Sequence, residues 1–469
     1  MTGTDRATLT LLDIERCFGG AIPAVLATAT AAGEPNVTYI SRAHRIDAER
    51  LALSNQFMSK TSRNLASNPR ASLLLMDPLT HDEYRLSIVY ERTERRGPVF
   101  EQLRTEIDAI ARLQDMRDVF RLRAADVFRV VDIVQLPPHP SGVLPDDIPV
   151  LRAASPVVTE LADFAAAVGR AADLDVLVEV ALEGLDRLFG FRHTLLLLVD
   201  ESGTQLYTIA SRGFDVESVG TEVAIGSGMI GLAAERCSPL RVDGLRQMEK
   251  YARAIRQRVA PGREVPVPNI VGVQSRIVVP AIARGELVAV IVAESRHPVA
   301  FGRADEELLA VVGPLLGSAI EHVRHAAAGP EDAVAPAPPV DAATMGAAPT
   351  DTAATGAATI ENATTIRFFT VDGSVFVDDE YLIKGVAGRI LWSLLGQHVA
   401  SGRTDFTNRE LRLDPSLDLP GFKDNLESRL ILLKRRLDER QVPIRIERTG
   451  RGRFRLEVST ALRLDATES

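Results

Sequence analysis

The chain is poor in cysteine: Cys17 and Cys237 stand far apart, and neither has a partner at metal-ligand spacing. That argues against a disulfide scaffold and against a zinc site, and it fits a reducing compartment. Long apolar runs are missing as well. Nothing approaches the roughly 20 residues that span a bilayer, so no membrane partner is expected. The nearest candidate, Ile277–Ala293, is broken by the turn residues Arg284-Gly285-Glu286. The opening MTGTDRATLTLLDIERC has acidic residues and no apolar centre, so a secretory leader is not expected and a cytoplasmic location is. Positive charge is not in excess either: the net charge is −9, so any nucleic-acid site must be local. What is present is a chain of 469 residues with 46% hydrophobic content. That is enough for about three domains, each with a packed core.

The cationic side chains gather near the carboxyl end, in FKDNLESRLILLKRRLDERQVPIRIERTGRGRFRLEV. Phe422, Leu426, Leu430, Leu433 and Leu437 recur at helical spacing and predict one apolar stripe. Projected on a wheel, Asn425, Ser428, Leu432, Arg435 and Arg436 fall on the opposite side, which suits a phosphate-lined groove. Pro443 should end the helix. Two strands follow, Ile444 and Ile446 alternating with charge, then Phe454, Leu456 and Val458. The turn Thr449-Gly450-Arg451-Gly452 joins them. The candidate DNA contacts are therefore Asn425, Ser428, Arg429, Arg435 and Arg436 on the helix, and Arg448, Arg451 and Arg453 on the hairpin. A helix in the major groove with a basic wing on the backbone is the arrangement expected.

Residues 1–136 read as a short helix over Leu9–Phe18 and then short strands with helices tucked between them. Such an order predicts a small β-barrel. Its chemistry concentrates in Ser54–Asn64 (SNQFMSKTSRN). Ser59, Lys60 and Thr61 open a helix, where free backbone N–H groups and the dipole favour an anion such as a phosphate monoester. Here AVLATATAAGEPNVTYIS, LALSNQ and SKTSRNLASNPRAS resemble the flavin-binding split barrels of the pyridoxamine-phosphate-oxidase-like superfamily, over about Leu12–Ile133. The resemblance implies FMN at a homodimer interface, its phosphate near Lys60 and Thr61, with Ser59 and Asn64 beside them. Ser54, Asn55 and Gln56 would line the isoalloxazine side. The segment RLRAADVFRVVDI does not supply the arginine-rich substrate motif of a true pyridoxamine phosphate oxidase. F420, haem or no ligand remain alternatives in this barrel.

Residues 155–325 follow a Pro-rich connector. Helices near Val158 and over Leu174–Phe189 precede strands at Arg192–Val199 and Gln205–Ala210. A hairpin around Arg284-Gly285-Glu286 and a long last helix follow. The pattern predicts an α/β layer domain. IGSGMIGLAAERCSPLRV, SRIVVPAIARGELVAVIVAES and FGRADEELLAVVGPLLGSAIEHV resemble a GAF domain along nearly its whole length. The resemblance implies a small-molecule ligand of unknown identity and dimerisation through terminal helices. The pocket would lie against Leu245–Asn269, with Tyr251, Arg253, Arg256, Arg258 and Arg263 available to an anion. Cys237 and His193 read as packing or structural residues. Gly313-Pro314 should kink the last helix.

Residues 326–364 are nearly all Ala, Pro, Thr, Gly and Asp and predict a disordered linker. Residues 365–460 begin with short strands and a helix over Val386–His398. Thr407-Asn408-Arg409-Glu410 then reads as a capping box opening a second helix. GRILWSLL, TNRELR, LLKRRL and IERTGRGRFRL resemble the winged-helix output domain of response regulators. Ile431 and Leu432 depart from that pattern, standing off the core stripe. No aspartate-bearing receiver precedes the domain.

The whole is thus expected to be a multidomain α+β chain: split barrel, GAF layer domain, linker and winged helix-turn-helix. The function expected is a one-component transcriptional regulator that senses a small ligand or redox state and binds DNA. A flavin-dependent oxidoreductase with accessory signalling domains is the alternative, and a protein-binding scaffold is a third reading.

Overall fold

A computed structural model describes residues 9–20, 22–56, 59–113, 121–137, 151, 158–200, 202–214, 219–245, 272–328, 363–417, 426–450 and 452–467. The chain divides into two compact units, residues 1–171 with 177–320, and residues 172–176 with 321–469.

The first unit opens with a short 3-10 turn, Glu15–Phe18. The amphipathic helix expected over Leu9–Phe18 is reduced to this turn, which nevertheless buries Cys17 and Phe18. Strands β1 (Ala24–Ala29), β2 (Pro35–Ile40), β3 (Ala43–Arg45), β4 (Arg50–Asn55), β5 (Arg70–Met76), β6 (Glu83–Glu94) and β7 (Ala124–Gln135) form one sheet, in the order β2-β1-β5-β6-β7-β4-β3. Helix α1 (Ser59–Ser67) links β4 to β5, and α2 (Pro98–Leu113) links β6 to β7. Leu26, Leu51, Leu53, Leu73 and Leu86 are fully buried inside this half-barrel. Each such side chain contributes about 1.5–3 kcal/mol of burial. At the β2 edge Val37 and Tyr39 face outward, 64% and 78% exposed.

The same unit continues with α3 (Val158–Gly169), α4 (Leu174–Arg187, whose first three residues belong to the second unit), β8 (His193–Val199), β9 (Gln205–Arg212), β10 (Glu222–Ala224), α5 (Gly228–Arg236), β11 (Leu240–Val242), β12 (Ser275–Ala283), β13 (Glu286–Ser295) and α6 (Arg303–Ala328, which passes to the second unit after Ile320). The sheet runs β10-β9-β8-β13-β12-β11. β8 and β12 are buried almost end to end, so both faces of their sheet are covered. The β12–β13 turn has positive φ at both Arg284 and Gly285, the geometry of a tight hairpin. Helix α6 runs through Pro314 and lies close on β12: a Cβ added at Gly313 would sit 3.0 Å from the Pro280 carbonyl oxygen. Ala109 of α2 belongs to the core of this sheet, so one helix serves both halves of the unit.

In the second unit β14 (Thr364–Phe369), β15 (Ser374–Val377), β16 (Glu380–Ile383) and β20 (Leu462–Thr467) make a sheet in the order β16-β15-β14-β20, with β14 and β20 parallel. β20 lies beyond the expected boundary at residue 460. The helices are α7 (Gly385–Ser401), α8 (Asn408–Leu413) and α9 (Leu426–Glu439). The Thr407 hydroxyl accepts from Glu410 N while the Glu410 carboxylate accepts from Thr407 N, so the capping box forms as read. β17 (Asp405–Thr407), β18 (Ile444–Gly450) and β19 (Arg453–Val458) make a second sheet. α9 stops ahead of Pro443, where Gln441 takes a positive φ and Val442 N reaches back to the Leu437 carbonyl oxygen.

The segment 326–364 begins later than composition implied, since α6 continues to Ala328. Residues 329–362 lie outside the described residues.

Candidate functional site

The anion corner of the barrel is built where β4 ends and α1 begins. Ser59 and Lys60 occupy the first turn of α1 and are exposed. Among the described residues Lys60 has no ion pair. Thr61 and Asn64, on the next faces of the helix, are buried. Asn36 Nδ2 donates to Thr61 Oγ1 at 3.0 Å, and Asn64 Nδ2 donates to Thr28 Oγ1 at 3.2 Å. These two bonds fasten α1 to β1 and β2, so Thr61 and Asn64 hold the helix while Ser59 and Lys60 are left for solvent or a ligand. Gln56 is buried and its Nε2 has no hydrogen-bond partner. An orphaned buried amide of that kind costs stability unless something fills its donor.

The other two residues expected along the ring side are already engaged. The Ser54 hydroxyl accepts from Arg42 N at 3.1 Å. Asn55 Nδ2 donates to Asp126 at 2.8 Å and to Ser62 at 3.3 Å. The donor set that fits FMN is therefore Lys60 and Ser59 at a phosphate and Gln56 Nε2 at a carbonyl-bearing ring.

On α9 the expected division into core stripe and open face does not hold. Ser428, Arg429, Ile431, Leu432 and Arg436 are all buried, as are Leu430 and Leu433. Wheel projection failed because neighbouring elements close over both sides of the helix. Arg436 donates from Nε to the Leu382 carbonyl oxygen at 2.8 Å and pairs with Glu439 at 2.9 Å. Ser428 and Arg436 are thus internal. Arg435 donates to Asp175 from Nη2 at 2.7 Å and from Nε at 3.1 Å, and Lys434 Nζ reaches the same carboxylate at 3.0 Å. Burial alone would raise Asp175, but these partners outweigh it and hold the carboxyl below its usual range. Arg448 pairs with Asp173 at 2.8 Å and Glu427 at 3.1 Å. Arg453 is exposed, and so is Arg445 on the same hairpin; neither has an ion pair among the described residues. Asn425 and Arg451 lie outside the described residues, as does the Tyr251–Arg263 stretch proposed for the GAF pocket.

Residues 14–130 match the pyridoxamine 5'-phosphate oxidase family, and residues 171–321 match the GAF domain family. The chain carries both domains. An FMN-binding protein from Syntrophomonas wolfei is similar at 20% identity, over 27% of this chain and 86% of its own, with a TM-score of 0.24. The GAF domain of a phosphoenolpyruvate-protein phosphotransferase from Coxiella burnetii is similar at 19% identity, over 38% of this chain and 99% of its own, with a TM-score of 0.32. A free methionine-R-sulfoxide reductase from Neisseria meningitidis is similar at 19% identity, over 38% and 98%, with a TM-score of 0.29. No curated protein matches the chain.

Within the GAF domain Cys237 caps α5 in a left-handed conformation, its thiol directed to the Ala234 carbonyl oxygen at 3.5 Å, and burial raises its pKa. The residue is nonetheless exposed, so the packing role expected of it is not what the structure shows. His193 opens β8 and meets Phe214 edge-on, with ring centroids 6.1 Å apart. Among the described residues no three His, Cys, Asp or Glu side chains converge as metal ligands, and no helix is long and apolar enough to cross a membrane.

A cluster that sequence reading missed lies where the barrel meets the GAF sheet inside the first unit. Glu106 of α2 is buried and accepts from the Arg42 guanidinium, from His44 Nδ1 at 3.1 Å and from Gln102 Nε2 at 3.1 Å. Burial alone would raise Glu106, but Arg42 and His44 outweigh it and hold the carboxyl well below its usual range. Nearby, Asp243 is fully buried and neither carboxylate oxygen has a hydrogen bond. Burial pushes it up to about 7 against the opposing pull of Arg241 and Arg42. These residues are scattered over more than two hundred positions of sequence, with no motif to join them. The one local hint was a carboxylate directly after a short strand, LRVD at 240–243.

Proposed function

We propose that the chain is a one-component transcriptional regulator, with the barrel and GAF domains as sensors and the C-terminal unit as a winged-helix DNA-binding output. The carrying observation is the order in the second unit: a capped α8, then α9, then the β18–β19 hairpin with exposed Arg445, Arg448 and Arg453. A basic hairpin directly after a three-helix core suits a wing lying along a phosphate backbone. The burial of Ser428 and Arg436 moves the weight of the reading from the helix to the hairpin. FMN is the cofactor this reading assigns to the barrel, through Lys60, Ser59 and Gln56. The family match over residues 14–130 supports the assignment. When bound, flavin would supply a group that exists in oxidised and reduced forms. Val37 and Tyr39 on the β2 edge offer an apolar surface for a second copy, in keeping with a homodimer.

The test is genome-wide footprinting with purified full-length protein, joined to an absorption spectrum and a salt titration. Recovery of a preferred duplex, with affinity falling steeply as salt rises, supports the reading. If no preferred sequence appears while a flavin spectrum and turnover with a reduced nicotinamide do, the chain is an oxidoreductase instead.

A further inference from the structure

The first unit contains a cavity of about 370 Å³, remote in sequence from the Lys60 corner and from residues 246–271. Its polar walls include His44, Gln102 and Glu106 from the barrel and Arg241, Arg303 and Glu306 from the GAF domain. Most of these charges are already matched. Glu106 is saturated by Arg42, His44 and Gln102. Arg303 serves Glu307 at 2.8 Å and the carbonyl oxygens of Arg45 and Ile46 at 2.7 and 3.0 Å.

Two groups are matched only loosely, by ion pairs longer than a hydrogen bond. The Arg241 side chain is 9% exposed and donates from Nη1 to the Phe301 carbonyl oxygen at 2.8 Å, yet its Nε has no hydrogen-bond partner. The nearest carboxylate to that nitrogen is Glu306, at 3.7 Å, too far for a hydrogen bond. Glu306 itself accepts none among the described residues. A buried cation and a carboxylate thus line one cavity as an ion pair at 3.7 Å with no hydrogen bond between them.

The surroundings decide what could fill the gap. A bare anion at Arg241 would meet Glu15 and Asp243, each 3.9 Å from the guanidinium. A bare cation at Glu306 would meet the arginines. A molecule with both charges, about as far apart as Arg241 and Glu306, meets neither penalty. Phe18, Ile46 and Val99 line the same space and would cover a modest aliphatic side chain.

We propose that this cavity binds a small zwitterion of the α-amino-acid class, its carboxylate on the Arg241 guanidinium and its ammonium on Glu306. The site is separate from the flavin corner and does not depend on the DNA-binding reading.

Each proteinogenic L-amino acid is titrated singly into the full-length protein, up to millimolar concentration, and followed by calorimetry and thermal unfolding. At least one is expected to bind and to raise the unfolding midpoint. The matching amine and the matching carboxylic acid, each lacking one charge, should bind at least about tenfold more weakly. Glu306→Gln should weaken the amino acid by about tenfold while leaving the matching acid almost unchanged, because only the ammonium partner is lost. Arg241→Lys should leave the matching amine unchanged and weaken the amino acid. Should either variant fail to fold, Ala310→Leu, an exposed residue on the cavity wall, fills the space and should abolish binding without touching a charge. The proposal is overturned if no amino acid binds, or if binding is indifferent to Ala310→Leu and to whichever of the two charge variants folds.

Discussion

Arg436 Nε and the Leu382 carbonyl oxygen lie 2.8 Å apart, a hydrogen bond that ties α9 to β16 inside the second unit. The guanidinium is buried, so losing it takes a donor from the Leu382 carbonyl oxygen and one ion-pair partner from Glu439. Arg436→Ala should therefore destabilise the second unit by about 1–3 kcal/mol. Urea unfolding monitored by Trp392, the chain's one tryptophan, would measure it. A variant with unchanged stability would mean that the bond is not formed in solution.

Arg453 makes the opposite case. It is exposed at the start of β19 and has no ion pair among the described residues, so its removal should change stability by less than about 0.5 kcal/mol. Its proposed role is on a phosphate. Arg453→Ala should weaken DNA binding about equally for all sequences and reduce the slope of log affinity against log salt by about one. Fluorescence anisotropy at several salt concentrations reads both quantities. An unchanged slope removes Arg453 from the interface.

Lys60 sits in the first turn of α1 with no ion pair among the described residues, whereas Thr61 and Asn64 are committed to holding the helix. Lys60→Ala should lower FMN affinity by about tenfold or more, the loss of one charge-assisted contact, with little effect on folding. Asn64→Ala should instead cost about 1–2 kcal/mol of stability by freeing the Thr28 hydroxyl in the core. Flavin absorbance after dialysis separates the two. If both variants retain flavin equally, the phosphate is not at this corner.

Much of the fold was legible because its signals are local. Turn residues at Arg284-Gly285, the Thr407 and Glu410 pair and the alternation in Ile444–Val458 each determine a few neighbouring residues, and the elements formed there. The open face of α9 was not legible in the same way. Ser428 and Arg436 look solvent-facing on a wheel, since a wheel cannot register a second layer packing over a polar face. Long aliphatic stems let arginine be buried while its head finds a carbonyl, so charge alone is a poor sign of exposure. The Arg42–Glu106–Asp243 cluster was invisible for a further reason: its members come from separate elements and meet only after folding.

That cluster gives a pH dependence whose sign can be worked out. Asp243 is raised to about 7 by burial, with Glu306 and Asp305 raising it further and Arg241 and Arg42 opposing. A carboxyl with a raised folded pKa binds its proton more tightly in the folded state than in the unfolded one. Its stabilising contribution is complete below the unfolded value, near 4, and is lost as pH rises through about 7. The first unit should therefore lose stability between about pH 4 and pH 7 (the interval between the two pKa values), against a background from the other titrating groups. Asp243→Asn cannot ionise, and it keeps nearly the same volume beside Gly19. The variant should flatten that decline, being relatively more stable than the parent at pH 8 than at pH 5. Thermal unfolding of both proteins across this range decides the matter: parallel curves would mean that Asp243 finds a partner or water and titrates as an ordinary aspartate.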